Sequence, residues 1–290
     1  PSDMHPFAKF AIGVDEVTTE YCALCADDDV LLMDAVAKCV EALRADPMAA
    51  AARGQAFSFS WTPQEPDGLY LTEGLLTPPV IQAGTPMERL AALFDPYHAV
   101  VYAVHRTVIL RKALELATGL LTSLLGLVLM VAALVVAEGG LLTVPMVMHG
   151  RSMGESVVPY RRWHPLEYFV NDTDEMAAEY ATYRTLLSAA VLANPANKLH
   201  DNQVKRAIDV IHLRYLLQHA PNAVLDFLIG RKSVGAQPEG HLSQEMQDIL
   251  LRASMLTSRN MDVAERDVIA GKLSNYMHAL LDPQAQAKAS

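Results

Sequence analysis

The feature that most limits the fold of this chain is a run of 22 residues without a charged side chain, from Leu116 to Ala137 (LATGLLTSLLGLVLMVAALVVA). A single helix of that length and hydropathy can cross a bilayer, with Arg111 and Lys112 on one side and Glu138 on the other. The same run can instead form a buried helix, or a pair of helices, inside a folded core. Both alternatives surround the run with apolar groups.

Composition and charge exclude two classes of protein. Of the 290 residues, 51% are hydrophobic and 19% are charged, which excludes a largely disordered chain. The formal net charge is -10, and contacts to nucleic acid phosphates require clustered Lys and Arg, so a general nucleic-acid binder is also excluded. The three cysteines, Cys22, Cys25 and Cys39, show no zinc-ligand pattern and are expected to be reduced thiols of a cytosolic protein.

Residues 21–61 show the pattern of an α/β unit. The apolar run from Tyr21 to Ala26 ends in aspartate, which predicts a short, fully buried strand in the centre of a sheet. Apolar spacing predicts a helix from Met33 to Ala45, ended by Asp46-Pro47. The alternation in AFSFSW predicts the next strand, from Ala50 to Trp61. A strand, an acidic turn, a helix and a strand in this order predict the α/β fold class.

The middle of the chain continues this alternation less regularly. Residues 62–86 are rich in Pro and Gly and are predicted to form a loop. Helices are predicted over residues 8–19, 87–94 and 108–116, and a strand over residues 100–104.

From Asp172 onward the pattern is helical and amphipathic. A helix is predicted to be capped by Asp201, to bury Val204, Ile208, Ile211 and Tyr215, and to end before Pro221. Further helices are predicted around residues 246–250 and 268–281. Four histidines of this region show no metal-ligand spacing and are predicted to be surface or packing residues. They are His164, His200, His212 and His219.

Three consecutive aspartates, Asp27, Asp28 and Asp29, follow the first predicted strand. Adjacent carboxylates repel one another, a divalent cation removes the conflict, and oxygen ligands favour Mg²⁺ or Mn²⁺ over zinc. In extended backbone Asp27 and Asp29 would point the same way, beyond the carboxyl end of the strand, where α/β sheets bind ligands. We therefore predict a metal at Asp27 and Asp29 that binds a diphosphate. The alternative is an exposed acidic turn that stabilises the start of the next helix.

Two segments carry a resemblance to a known family. The run TTEYCALCADDDVLLMDAVAKCVEALRADPMAAAARGQ resembles the centre of a GT-A glycosyltransferase domain of the glycosyltransferase family 2 type, with its acidic DxD-like motif. The segment from Tyr102 to Thr107 (YAVHRT) is similar to the Y-x-V-H-R-T segment of a bacterial group of family 2-like enzymes. The resemblance covers roughly residues 5–155.

The resemblance implies a fold and an activity. The fold is a GT-A-like, Rossmann-like mixed sheet flanked by helices over residues 1–160, followed by a helical C-terminal region over residues 161–290. The family's first strand and helix have no counterpart before Pro1, so we expect an N-terminally incomplete domain. The activity is transfer of a sugar from a nucleotide-diphosphate donor to an acceptor hydroxyl with Mg²⁺ or Mn²⁺.

The resemblance also implies site residues. Asp27 and Asp29 would contact the ribose, the metal and the diphosphate, with Asp29 a direct metal ligand. Arginine binds phosphate in bidentate fashion, and two of the further candidates are arginines. The further candidates for donor binding are Asp28, His105, Arg106, His149 and Arg151. For His105 and Arg106 a structural strand-end pair is the alternative.

The catalytic base is the weakest part of the match. The family places an acidic residue on or near the helix after the His-Arg segment, where this chain has only the apolar run. Glu115 and Glu138 flank that run and are the candidates for the base. A catalytically inactive GT-A-like binding or scaffold protein is therefore one alternative. A membrane-anchored protein that spans at residues 116–137 is the other, although the distance from His105 to His149 suits a core with buried helices.

The same resemblance implies partners and a location. The partners are a nucleotide-sugar donor and a saccharide or glycoconjugate acceptor, and no nucleic acid. The location is cytoplasmic or peripheral to the bacterial inner membrane, where surface polysaccharides are assembled.

Overall fold

The structure is a computed structural model that describes residues 6–61, 69–82, 84–118, 120, 124–152 and 174–219. These residues fall into two compact units. The first comprises the described residues up to 84 and from 98 to 152, and the second comprises residues 85–97 and 174–219. The expected domain boundary at residue 160 lies outside the described residues, as do the helices expected around residues 246–250 and 268–281.

Seven helices and six strands are defined in the described residues. In chain order they are α1 (Pro6–Asp15), β1 (Tyr21–Ala23), β2 (Val30–Leu31), α2 (Met33–Ala45), β3 (Ala49–Trp61), β4 (Leu69–Leu76), α3 (Pro86–Leu93), β5 (Val104–Arg106), α4 (Thr107–Ala117), α5 (Leu124–Glu138), β6 (Gly140–Ser152), α6 (Asp174–Ala193) and α7 (Asp201–His219). Of these, α3, α6 and α7 belong to the second unit.

The first unit is built on a mixed six-stranded sheet. Its strand order is β1-β5-β3-β6-β2, and β4 pairs with β3 outside this path. The two long strands, β3 and β6, pair in parallel, whereas the other strand pairs are antiparallel. The expected mixed sheet flanked by helices is confirmed at this level.

Helix α2 covers one face of the sheet. It runs over the range that its apolar spacing predicts, and Ala35, Cys39 and Leu43 are its buried residues. They pack in one core cluster with residues of β3 and β6, including Ala52 and Met148. Small side chains on β3 let the helix approach the central strands closely.

Three predictions about the sheet need correction. The strand β1 is a partly buried edge strand of three residues, not a fully buried central one. Among the described strands it pairs only with β5, and the chain leaves the sheet after Ala23. Strand β4 lies within residues 62–86, which were expected to be a loop; residues 62–68 are outside the described residues. Strand β5 begins at Val104, because residues 101 and 102 form a turn.

The apolar run at residues 116–137 does not form one helix. Helix α4 ends at Ala117 and α5 begins at Leu124, and residues 119 and 121–123 lie outside the described residues. From Leu129 to Ala137 every side chain of α5 is buried, in agreement with the buried alternative. Within the described ranges, no helix has both the length and the apolar character needed to cross a membrane.

The second unit packs α3 and α6 against α7. Helix α3 begins with a capping box between Thr85 and Glu88. Helix α7 buries Val204, Ile208, Ile211 and Tyr215, and this face confirms the predicted spacing. The predicted cap differs, because Asp201 is the first helical residue. Its carboxylate accepts from Lys205 at 2.8 Å and from Ser188 at 3.0 Å.

Candidate functional site

The three aspartates form a turn and not an extended segment. Asp27 and Asp28 occupy the turn, and the Asp29 backbone N–H donates to the Ala26 carbonyl at 3.3 Å. The two-residue alternation of extended backbone therefore does not apply, and Asp27 does not share the environment of Asp29. Asp27 and Asp28 are exposed, whereas the Asp29 side chain is only 4% exposed.

Asp29 is held by the end of strand β6. The Ser152 backbone N–H donates to Asp29 Oδ1 at 2.9 Å, and His149 Nε2 lies 3.0 Å from Asp29 Oδ2. Strand β2, which follows the turn, pairs with β6 so that Leu31 lies opposite His149. This short pairing places the acidic turn at the carboxyl end of β6, and both Asp29 oxygens have a hydrogen-bond partner there.

An aromatic ring completes this arrangement. The Tyr102 ring stacks on the His149 imidazole with centroids 4.7 Å apart and an interplanar angle of 26°. Burial raises the pKa of Tyr102, and the negative charges of Asp29 and Asp28 raise it further while Arg151 opposes them. We call Asp29, His149 and Tyr102 the acidic-turn site.

His105 lies in the sheet, between Cys22 and Ala51 on the neighbouring strands. The side chain is fully buried, and this burial lowers its pKa to about 4. Its Nε2 lies 3.2 Å from the Val101 carbonyl, and Nδ1 has no hydrogen-bond partner in the described part of the chain. These are the surroundings of a core residue, and a part in donor binding stays a prediction.

Arg106 holds the turn between α2 and β3. Its Nη2 donates to the carbonyls of Leu43 at 2.6 Å and Asp46 at 3.2 Å, and its Nε donates to the Ala49 carbonyl at 2.9 Å. A looser ion pair with Glu20, at 3.5 Å, adds to these contacts. The contacts agree with the structural strand-end alternative, and phosphate binding by Arg106 stays a prediction.

The two candidate bases lie on the helices that carry the apolar run. Glu115 is exposed on α4. Glu138, the last residue of α5, forms an ion pair with Lys112. A catalytic role for either carboxylate stays a prediction.

The acidic-turn site brings two side chains together that are possible ligands of a divalent cation, Asp29 and His149. No group of three or more His, Cys, Asp or Glu side chains converges in the described ranges. The 3.0 Å between Asp29 Oδ2 and His149 Nε2 matches the roughly 3 Å between adjacent ligands of an octahedral ion at about 2.1 Å. Such ions keep several waters and take further oxygens from substrate phosphates. The nitrogen ligand favours Mn²⁺ over Mg²⁺.

The sequence did not reveal that His149 pairs with Asp29 or that Tyr102 stacks on His149. His149 was expected to contact the donor, and Tyr102 stood only as the first residue of the YAVHRT segment. The sequence feature that pointed to His149 was its position, with Arg151, directly after the strand-like segment LLTVPMVM.

A second group of the same residue types lies inside the second unit. Tyr180 donates to Asp209 Oδ1 at 2.7 Å, and Arg184 donates to Asp209 Oδ2 at 3.0 Å. His212 lies between two hydroxyls, with Nδ1 3.2 Å from Tyr180 and Nε2 3.0 Å from Tyr183. Because Tyr180 gives its single proton to Asp209, His212 Nδ1 donates to Tyr180 and Nε2 accepts from Tyr183. We call these five residues the α6–α7 network.

The α6–α7 network is closed to solvent. All five side chains are buried, and burial raises the pKa of Asp209, Tyr180 and Tyr183. For His212 this agrees with the packing role expected from the sequence.

A scan against models of protein families finds no match, and a search of curated proteins finds none either. Fold and site thus define a mixed α/β protein with an Asp-His pair at the carboxyl end of its parallel strands.

Proposed function

We propose that this protein is a metal-dependent glycosyltransferase with a GT-A-like domain, which moves a sugar from a nucleotide-diphosphate donor to a hydroxyl of a saccharide or glycoconjugate. The observation that carries the proposal is the pairing of Asp29, from the acidic turn, with His149 at the carboxyl end of β6. Open α/β sheets bind ligands at this edge. Sugar transfer itself rests on the resemblance of residues 18–55 and 102–107 to glycosyltransferase family 2.

In this proposal each group of the turn has its own part. Asp29 and His149 would hold Mn²⁺ or Mg²⁺, which neutralises charge on the departing diphosphate when it is bound. Arg151 is exposed just beyond His149 and offers a guanidinium to a phosphate. Asp27 and Asp28 are exposed and would be available to the ribose or to waters of the cation. Because the three carboxylates repel a free diphosphate, nucleotide binding requires the cation.

The experiment is calorimetric titration of UDP and GDP into the full chain, with and without Mn²⁺. We expect binding only with Mn²⁺, weakened more than about tenfold by Asp29→Asn, since one ligand is lost. Glu41→Gln removes an exposed carboxylate that pairs with Lys38 on α2 and serves as the matched control. Binding that ignores Mn²⁺, or that Asp29→Asn leaves intact, would refute the proposal.

A second candidate is a nucleotide-sugar binding protein without turnover. It is favoured by one observation: Glu138, a candidate base, is occupied by Lys112. The two candidates differ in release of nucleoside diphosphate from a bound nucleotide-sugar. Release accelerated by acceptor saccharides favours the transferase, and Mn²⁺-dependent binding with no release favours the binding protein.

A further inference from the structure

The Tyr102 ring is the side chain that faces the plane of the His149 imidazole. The two rings are nearly parallel, 26° apart, at a centroid distance of 4.7 Å. Tyr102 lies in the turn before β5, and His149 lies near the end of β6. Two segments of the first unit that are far apart in sequence therefore meet through this stack.

His149 is buried, but few polar contacts orient its imidazole. Its Nε2 meets Asp29, and Nδ1 has no hydrogen-bond partner in the ranges that the structure describes. The usual device for fixing a ligating imidazole is a hydrogen bond from its second nitrogen to a carboxylate or carbonyl. Here the described residues provide no such bond, and the Tyr102 ring lies directly against the imidazole plane.

We propose that Tyr102 is a positioning residue for the cation: its ring fixes the plane of the His149 imidazole so that Nε2 stays directed at Asp29. The inference rests on the proposed function in one respect, since it assumes that the Asp29–His149 pair takes a divalent cation. It deepens that function by naming a residue outside the ligand set that controls cation affinity.

The ring carries this role and the hydroxyl does not. The contact between Tyr102 and His149 is a contact of the two ring faces, with centroids 4.7 Å apart, and the hydroxyl is not part of that stack. Removal of the hydroxyl should therefore leave the cation site intact, and removal of the ring should not. This difference separates Tyr102→Phe from Tyr102→Leu.

The test is Mn²⁺ binding to the full chain, followed by electron paramagnetic resonance. Pulsed measurements detect ¹⁴N modulation when an imidazole nitrogen ligates Mn²⁺, and this readout does not depend on activity. We expect wild type and Tyr102→Phe to bind with equal affinity and to show the modulation. Tyr102→Leu should bind about tenfold more weakly, in the range for loss of a supporting contact, and lose the modulation.

Thermal unfolding of each variant shows that it is folded, and Tyr102→Met replaces Tyr102→Leu if the latter is not. Unchanged affinity and modulation in the folded non-aromatic variant would overturn the inference alone. Equal losses in Tyr102→Phe and Tyr102→Leu would also overturn it, because they would assign the role to the hydroxyl. Absence of Mn²⁺ binding by wild type, with or without UDP, would overturn the proposed function and the inference together.

Discussion

The acidic-turn site and the α6–α7 network use the same residue types in different surroundings. In both, an aspartate, a histidine and a tyrosine are in contact. The acidic-turn site has exposed Asp27, Asp28 and Arg151 beside it, and His149 has one ring nitrogen without a hydrogen-bond partner among the described residues. In the α6–α7 network both nitrogens of His212 are engaged by hydroxyls.

We propose that the neighbouring groups, and not residue type or burial, separate a ligand site from a structural group. The side chains of Asp29 and His149 are 4% and 10% exposed, and those of Asp209 and Arg184 are 9% and 8% exposed. A buried charge must be paired and hydrogen-bonded, so each member of the α6–α7 network is fixed by its neighbours. The Asp29–His149 pair is just as buried, but Asp27, Asp28 and Arg151 beside it are exposed, and we propose that the pair exchanges its hydrogen bond for a cation. Substitutions should therefore reduce stability in the network and reduce ligand binding in the acidic-turn site.

The largest effect is expected from Arg184→Leu in the network. Loss of the guanidinium leaves the Asp209 carboxylate buried without its cation, which should destabilise the second unit by about 3–5 kcal/mol. The measurement is urea-induced unfolding. The double variant Arg184→Leu with Asp209→Leu should recover most of the loss, and a single variant as stable as wild type would break the comparison.

A comparable loss of stability is expected at low pH because of His105, which is buried in the first unit and belongs to neither group. Its folded-state pKa, about 4, lies below the ordinary value of 6.5, so the unfolded chain binds the proton more readily between these values. Stability is complete above about pH 6.5 and falls as pH decreases to about 4, by about 3 kcal/mol in all.

His105→Leu should flatten most of this pH dependence in unfolding experiments. Part will persist, because burial and then Arg53 lower the pKa of His98 and so act in the same direction. A slope between pH 6.5 and 4 that is unchanged in His105→Leu would contradict the assignment.

A smaller effect should distinguish His149 of the acidic-turn site from His212 of the α6–α7 network. His149→Gln should weaken Mn²⁺-dependent UDP binding by more than about tenfold, equivalent to about 1.4 kcal/mol. It should change the unfolding midpoint little, because the glutamine amide can still donate to Asp29. His212→Gln should do the reverse, since its partners are buried hydroxyls. Both variants are measured by calorimetry and by thermal unfolding, and equal losses of stability would remove the distinction.

The smallest effect on stability is expected from replacing tyrosine with phenylalanine, once in each group. Tyr183→Phe removes the hydroxyl that donates to His212 Nε2 and should cost about 1 kcal/mol, because a buried acceptor is left unpaired. Tyr102→Phe should cost almost nothing. The measurement is the free energy of urea unfolding of both variants. A larger loss of stability in Tyr102→Phe than in Tyr183→Phe would argue that the Tyr102 hydroxyl has a structural partner.

Local patterns of the sequence predicted the elements that local physics determines. Apolar spacing and Asp46-Pro47 predict α2 over the residues that form it, and the buried face of α7 follows the same rule. The position of β1 at the sheet edge was not predictable, because an apolar run does not say how many neighbours a strand has.

The acidic-turn site depends on contacts that are distant in sequence. Asp29 turns inward because its partners are His149 and Ser152, more than a hundred residues away. No spacing rule within the DDD segment contains that information. The Tyr102 stack and the carbonyl contacts of Arg106 likewise arise only when separate strands meet.

The most direct test of the central claim is anomalous X-ray scattering from crystals of the full chain grown with Mn²⁺ and UDP. The account predicts a manganese peak about 2.2 Å from both Asp29 Oδ2 and His149 Nε2, with diphosphate oxygens among the remaining ligands. A peak that is bound by Asp27 or Asp28 with Asp29 and His149 still hydrogen-bonded to each other, or no peak at the turn, would contradict it.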